Sequence, residues 1–139
     1  MTDTQIDQLT EQIIGCGIEV HKTLGAGLLE SVYRECLLVE LRAASLQVVD
    51  EQWVKLKYKG TPLVSQLRLD LLVDDCVIVE LKAVERIHPV HLSQVITYLK
   101  LTDHPAGLIM NFNVTSLRSG IRRLNHPDRY VKRTNKPSS

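Results

Sequence analysis

Two apolar runs, residues 63–73 and 77–84, constrain the fold of this chain more than any other feature of its sequence. Both are rich in Val, Ile and Leu, and Asp74-Asp75 joins them, so they predict two adjacent β-strands of a hairpin. The runs contain four charged residues, and three of them, Asp70, Glu80 and Lys82, lie where the hairpin otherwise looks buried. Charged side chains are rarely buried unless they are paired or bind a metal, so the hairpin is the first candidate for a functional site.

The charged residues of this hairpin suit metal-assisted chemistry on a phosphodiester. Asp70 and Glu80 offer the hard oxygen ligands that Mg²⁺ prefers, with Mn²⁺ as a substitute, and the backbone carbonyl of Leu81 is a third donor. Lys82 lies two residues after Glu80, so it projects from the same face of its strand. A bound metal would polarise the phosphoryl oxygen, and the lysine would offset the charge that builds up there.

The length of the hairpin loop decides whether these groups can meet. A two-residue loop would place Leu69 opposite Glu80 and turn Asp70 to the other face of the sheet. A three-residue loop that ends at Cys76 would instead place Asp70 opposite Glu80. Both faces of the hairpin look buried, so alternation of apolar residues leaves both registers open. An ion pair between Glu80 and Lys82 on a half-exposed edge is the alternative to a catalytic site.

The rest of the chain predicts helices on either side of a sheet. Hydrophobic spacing and turn residues predict helices at about 4–23, 28–44, 89–101 and 115–124, and further strands at about 54–58 and 106–112. The predicted order is ααβββαβα. This order indicates an α/β fold with a central mixed β-sheet flanked by helices.

A motif near the start of the second helix resembles that of a known family. Gly27-Leu-Leu-Glu30-Ser-Val-Tyr33 is similar to the signature of the GxxExxY proteins, small bacterial proteins of the PD-(D/E)XK nuclease superfamily. The resemblance extends from about residue 13 to residue 124, and it includes Asp70, Glu80-Leu-Lys82 and Gln94-x-x-x-Tyr98. It implies a restriction-endonuclease-like core and a magnesium-dependent nuclease site.

The resemblance also implies roles for individual residues. Asp70 and Glu80 would be metal ligands and Lys82 the catalytic lysine. Glu30 resembles the additional acidic residue of such nucleases, which shares or tunes the metal site. Leu69 stands where the superfamily motif has proline, a substitution that many members tolerate.

Gln94 and Tyr98 resemble the Gln-x-x-x-Tyr element of the RecB-like branch, which holds the substrate or the active-site helix. The two residues are four apart, so they share one face of their helix and could point at the strand ends. The alternative is a helix flank whose tyrosine packs on the sheet.

Several other residues have both structural and functional interpretations. Tyr33 could hydrogen-bond within the site, but core packing with a satisfied hydroxyl is at least as well supported. Trp53 is expected in the core or at an interface rather than as a base-stacking platform. Lys55, Lys57 and Lys59 form a stripe that could follow a nucleic-acid backbone or protect a sheet edge from aggregation.

Composition indicates a single cytoplasmic domain. With 139 residues the chain predicts one nuclease-like domain at 1–124 and a basic C-terminal tail at 125–139, which could contact phosphates or stay solvated. The N-terminus has no secretory pattern and no apolar run is long enough to cross a membrane. The three cysteines are odd in number and widely spaced, which favours reduced thiols.

The resulting functional prediction is a Mg²⁺-dependent nuclease, with DNA favoured over RNA by superfamily analogy. A compact nuclease without an extra binding domain would need a second copy to hold a duplex, so a homodimer is a further expectation. The alternative is a catalytically silent nucleic-acid-binding or protein-interaction module that retains the fold.

Overall fold

A five-stranded mixed sheet forms the centre of the computed structural model, which describes residues 1–129. The elements follow in this order: α1 (Asp3–Leu24), α2 (Glu30–Ala43), β1 (Val48–Tyr58), β2 (Thr61–Val73), β3 (Val77–Lys82), α3 (Pro89–Thr102), β4 (Ala106–Asn111), a 3₁₀ turn (Leu117–Gly120) and β5 (Ile121–Asn125). No helix in this part of the chain combines the length and the apolar character needed to cross a membrane. Most of the predicted basic tail lies outside the described residues.

The spatial order of the strands is β1-β2-β3-β4-β5. Strands β3 and β4 run parallel, and every other neighbouring pair is antiparallel. A parallel pair needs a crossover connection, and α3 provides it. Helices cover both faces of β3 and β4, which accounts for their nearly continuous apolar sequences. The prediction of an α/β fold with a central mixed sheet is therefore confirmed.

Two hydrophobic clusters pack on opposite faces of the sheet. The larger cluster joins α1 and α2 to the sheet through residues such as Ile13, Leu37 and Leu108. The smaller one joins α3 to the other face and is formed by Leu69, Leu72, Ile78, Val95, Leu99 and Ile109. A charged residue in β3 consequently lies between two layers of apolar side chains, unless it is close to an end of the strand.

The β2–β3 hairpin has the three-residue loop. Val73 pairs with Val77, so the register places Asp70 across from Glu80. Asp74 and Asp75 both adopt a left-handed conformation, with φ of 50° each. Aspartate tolerates this region better than most residues with a side chain, which is why the loop can form without glycine.

The predicted helix at 115–124 is wrong. A short 3₁₀ turn leads into β5, which pairs antiparallel with β4. Leu117, Ile121 and Leu124 have helical spacing, but the open edge of β4 offers unpaired backbone groups that a strand satisfies. Gly120 permits this path, because a Cβ at that position would collide with the carbonyl oxygen of Asn111.

Strands β1 and β2 continue well beyond the core as a long hairpin. We call residues 53–68 the hairpin arm, since almost all of them are exposed or only half-buried. Lys59 and Gly60 form the turn at its tip, both with positive φ. Trp53 is 60% exposed, so it does not lie in the core, and of the two expected places an interface stays open.

Tyr33 is a fully buried anchor for the turn that precedes α2. Its hydroxyl donates a hydrogen bond to the carbonyl of Gly25 (2.6 Å) and accepts one from the amide of Leu28 (3.1 Å). Its ring stacks on Phe112, with 4.4 Å between centroids and 12° between planes. Core packing with a satisfied hydroxyl is thus the correct interpretation of Tyr33, and the turn it fixes leads directly into Glu30.

Replacing Tyr33 by phenylalanine should lower the free energy of unfolding by about 1–3 kcal/mol, because it leaves two backbone groups of the turn without their partner. Tyr58→Phe is the matched control, since Tyr58 is 62% exposed and donates no buried hydrogen bond. Urea denaturation of both variants measures the difference. Equal stability of the two variants would contradict the role given to the Tyr33 hydroxyl.

Candidate active site

Strands β2 and β3 separate at the point where Asp70 faces Glu80. The last backbone pair of their ladder is Leu71 with Val79. Beyond it, the amide of Asp70 donates to Oε1 of Glu80 (3.3 Å), and the amide of Leu81 donates to Oδ2 of Asp70 (3.1 Å). The two carboxylates therefore replace the missing ladder bonds, and they converge in the gap between the strands.

An irregularity in two strands allows this convergence. Leu71 packs in the cluster beneath α1 and α2, whereas Leu69 packs in the cluster beneath α3, so the alternation of β2 is broken at Asp70. On the neighbouring strand Glu51 has a φ of 53°, between Asp50 and Gln52, which both pair with β2. The backbone is thus distorted across both strands next to the carboxylates.

Glu80 carries the strongest electrostatic perturbation of the site. Its side chain is nearly buried, with 7% of the residue exposed. Burial, and after it the neighbouring charge of Asp70, raise the pKa of Glu80 to about 8, while the amide of Asp70 and the charge of Lys82 oppose this increase. The nearby positive charges, Lys82 and the Arg68 guanidinium 3.9 Å from Asp70, do not fully compensate the pair, and at neutral pH Glu80 retains a proton.

This donor set fits a divalent cation. Two adjacent carboxylates, one of which keeps its proton because of burial and its neighbour's charge, offer the oxygen ligands that Mg²⁺ and Mn²⁺ prefer. Leu81 adds a donor, because the N–H and C=O of a strand residue point to the same side and its N–H faces Asp70. Within residues 1–129 no three His, Cys, Asp or Glu side chains are already arranged as a metal site.

Glu30, the first residue of α2, lies beside this pair. It lines a cleft of about 210 Å³ together with Ser31, Arg34, Arg68, Asp70 and Leu81. Burial and then the charge of Asp70 raise the pKa of Glu30, whereas Lys82, the amide of Ala83 and Arg34 lower it. The carboxylate of Glu30 therefore lies close enough to Asp70 for the charge of Asp70 to raise its pKa.

The position of Glu30 follows from the motif that surrounds it. Gly27 has a φ of +99°, a conformation that favours glycine, and it lies in the turn that Tyr33 fixes from within the core. The spacing of glycine, glutamate and tyrosine thus corresponds to a turn, the first residue of a helix and an anchor one turn later. Gly27 therefore serves the entry into α2.

Lys82 ends β3 and faces the helix α3. It lines a second hollow with His91 and Gln94. Its charge lowers the pKa of both Glu80 and Glu30, so its ammonium lies within electrostatic range of both carboxylates. The carbonyl of Lys82 accepts a hydrogen bond from the amide of Phe112 (3.0 Å), which fixes this end of the strand.

Gln94 and Tyr98 lie on the side of α3 that faces the carboxylates. Burial, and next the charges of Glu80 and Asp70, raise the pKa of Tyr98, and a hydrogen bond with Gln94 lowers it. Tyr98 also packs at the margin of the smaller cluster. Tyr98 thus packs on the sheet, as one interpretation expected, and the role of the pair in holding substrate stays a prediction.

Two arginines near the cleft were missed by the sequence analysis. Arg34 pairs with Glu51 (2.8 Å), and Arg68 pairs with the same carboxylate (3.1 Å) and approaches Asp70 (3.9 Å). These contacts link α2, β1 and β2 and hold Glu51 at the distorted position. The available signal was the spacing of Arg34, which is four residues after Glu30 and therefore on the same face of α2.

A comparison with protein families decides the relationship that this geometry suggests. The family model described as PD-(D/E)XK nuclease superfamily matches residues 7–124. The chain belongs to the PD-(D/E)XK nuclease superfamily. A search of curated proteins found no match. The matched region of this PD-(D/E)XK protein contains every residue of the gap, the cleft and the facing side of α3.

The pKa of Glu80 predicts a pH-dependent stability for the metal-free protein. Between its ordinary value of 4.5 and about 8, the folded state holds a proton that the unfolded state has released, so the free energy of unfolding falls as the pH rises through this window. Glu80→Gln removes this titration, and its stability should fall less than that of the wild type.

Urea denaturation in EDTA at about pH 5 and about pH 9 measures this difference between the variant and the wild type. Glu85→Gln is the control, because Glu85 is exposed and lies just beyond the end of β3. The assignment of the proton to Glu80 would be contradicted if Glu80→Gln lost as much stability across the window as the wild type.

Proposed function

We propose that this PD-(D/E)XK protein is a Mg²⁺-dependent nuclease that hydrolyses phosphodiester bonds of nucleic acid. The observation that supports it most is the contact between Asp70 and Glu80, two carboxylates that converge in a gap of the sheet and keep the pKa of Glu80 raised despite the nearby cations. Membership of the superfamily supports nuclease chemistry in general. The identity of the metal and the roles of the residues are parts of this proposal.

Asp70, Glu80 and the carbonyl of Leu81 would hold Mg²⁺, or Mn²⁺ in its place. Glu30 would share or tune the site from the cleft side, since its carboxylate responds to the charge of Asp70. When bound, the metal neutralises charge on the phosphate and makes a water molecule easier to deprotonate. Metal binding here would require Glu80 to lose its proton, because a carboxylate binds a cation in its ionised form.

Lys82 would act on the reacting phosphate. An ammonium is no metal ligand, but it offers three hydrogen-bond donors and a full positive charge. Located at the end of β3 beside Glu80, it would orient the attacking water or stabilise the negative charge that develops on the phosphate oxygens. It has no ion pair with a carboxylate of the described residues, which leaves its charge available for a phosphate.

Gln94 and Tyr98 would hold the substrate or the position of α3 next to it. Their hydrogen bond, and the proximity of Tyr98 to the negative charges of Glu80 and Asp70, support a place at the border of the site. A phosphate that approaches Lys82 would pass the hollow that Gln94 and His91 line.

The substrate, the oligomeric state and the cellular location are proposed from superfamily membership and from composition. DNA is the favoured substrate, and two copies of the chain would together hold a duplex. A cytoplasmic location agrees with Cys16, Cys36 and Cys76, none of which forms a disulfide among the described residues. The division into a nuclease-like domain at 1–124 and a basic tail at 125–139 also stays a prediction.

Lys82→Ala should lower metal-dependent cleavage by about a hundredfold to a thousandfold, the usual cost of removing a group that stabilises transition-state charge. Metal affinity should be largely retained, because the ligands are intact. Cleavage of labelled single-stranded and double-stranded DNA and RNA, with Mg²⁺, Mn²⁺ or EDTA, measures the effect and also identifies the substrate. Lys100→Ala is the control, since Lys100 is exposed near the far end of α3.

Unchanged cleavage by Lys82→Ala would remove this lysine from the mechanism. If no nucleic acid in the panel is cut in a metal-dependent manner, the nuclease proposal fails. Binding of nucleic acid or of a protein without any cleavage would instead support the silent module that retains the fold.

A further inference from the structure

The hairpin arm concentrates positive charge. Residues 53–68 carry a net charge of +4, whereas the whole chain carries only +1. The four cations are Lys55, Lys57, Lys59 and Arg68, and the arm contains no aspartate or glutamate. The arm therefore differs in sign from the remainder of the chain, which is negative in total.

The side chains of one face of the arm lead away from the cleft in a row. The β1–β2 register shifts between Lys55 and Lys57, but exposed Trp53, Lys55 and Lys57 still alternate with half-buried residues along β1, which places them on one face. Arg68 pairs directly with Trp53 across the strands, and Arg68 also lines the cleft that contains Asp70. The row thus begins at the edge of the candidate active site.

The members of this row are accessible. Trp53 is 60% exposed, and both Lys55 and Lys57 are exposed. No carboxylate in the described part of the chain pairs with either lysine. The opposite face of the arm is the one that packs, since Val54 contacts the smaller cluster. Packing therefore accounts for that face, and it does not account for an exposed indole beside two cations.

We propose that Trp53, Lys55 and Lys57 bind a single-stranded stretch of the nucleic-acid substrate next to the cleaved bond. The lysines would contact consecutive phosphates, and the indole would stack on an unpaired base. A cationic track with an interleaved aromatic ring is the recurring design of surfaces that bind single strands. This proposal rests on the proposed nuclease function for its substrate and adds how that substrate is held.

Charge favours nucleic acid over a second copy of the chain as the occupant of this face. Arg68 is paired with Glu51, but two arms that each carry Lys55, Lys57 and Lys59 would still repel one another, whereas a phosphate backbone is attracted and releases its counterions on binding. The direction of the row, from the cleft outward, also suits a strand that enters the site and continues along the arm.

The first test measures binding of a fluorescently labelled single-stranded DNA of about 20 nucleotides to the full-length protein, in EDTA and at several salt concentrations. Lys55→Ala/Lys57→Ala should weaken binding, and the slope of log K against log salt should become shallower by about 1.4, because two phosphate contacts are lost. Arg42→Ala/Lys100→Ala removes the same charge from exposed positions near the opposite end of the sheet, and its slope should match the wild type.

The second test uses Trp53, the only tryptophan of the chain, as an internal reporter. Its fluorescence should change when the single strand is added, and less so with a blunt duplex. Trp53→Ala should weaken binding by about fivefold to a hundredfold, the range expected for loss of one stacked base. Trp53→Phe should recover most of the affinity, because it retains an aromatic face.

Each outcome of these tests supports or overturns the proposal. An unchanged salt slope for the lysine variant, or tryptophan fluorescence that does not respond, would overturn it. The proposal would also be overturned if the lysine variant kept its DNA binding but had a lower mass in sedimentation than the wild type. That result would identify the arm as an interface between copies of the chain. The assays contain EDTA and therefore test binding alone. Binding through the arm, together with no metal-dependent cleavage in the panel described above, would contradict only the nuclease proposal.

Discussion

The mutual contact of Asp70 and Glu80 is the interaction on which the account depends. Each carboxylate accepts a hydrogen bond from a backbone amide of the opposite strand, so the site exists only where the β2–β3 ladder opens. Two negative groups in a nearly buried position are costly unless a proton or a cation accompanies them. In the metal-free protein this cost appears as a raised pKa of Glu80. A bound divalent cation would lower the same cost and would also supply catalytic chemistry.

The surrounding structure holds this unfavourable pair in place. Helices on both faces of the sheet bury Glu80 and raise its pKa, while the ion pairs of Arg34 and Arg68 with Glu51 maintain the distorted strands beside it. Tyr33 fixes the turn that sets Glu30 at the start of α2. The apolar core thus holds the two carboxylates in fixed positions and in surroundings of low polarity, where their attraction for a cation is strong.

The hairpin and its carboxylates Asp70 and Glu80 could be singled out from the sequence because charged side chains in apolar strands are rare, whereas Glu30, Gln94 and Tyr98 were singled out through the family resemblance. The sequence left two registers of the β2–β3 hairpin open, because both faces of the hairpin are apolar and its loop could have two or three residues. The prediction of a last helix was wrong because the spacing of Leu117, Ile121 and Leu124 fits a helix as well as a turn that leads into an edge strand. The Arg34–Glu51 contact and the exposure of Trp53 depend on tertiary placement, which no local pattern encodes.

The most direct test of the central claim is isothermal titration of the metal-free protein with Mn²⁺, compared with Asp70→Asn and Asp75→Asn. Asp75 is exposed and lies in the loop of the same hairpin, so its variant is matched in charge and chemistry. We expect one Mn²⁺ site in the wild type and in Asp75→Asn, and a loss of binding in Asp70→Asn. Equal titrations of all three proteins would show that Mn²⁺ does not bind between the two strands.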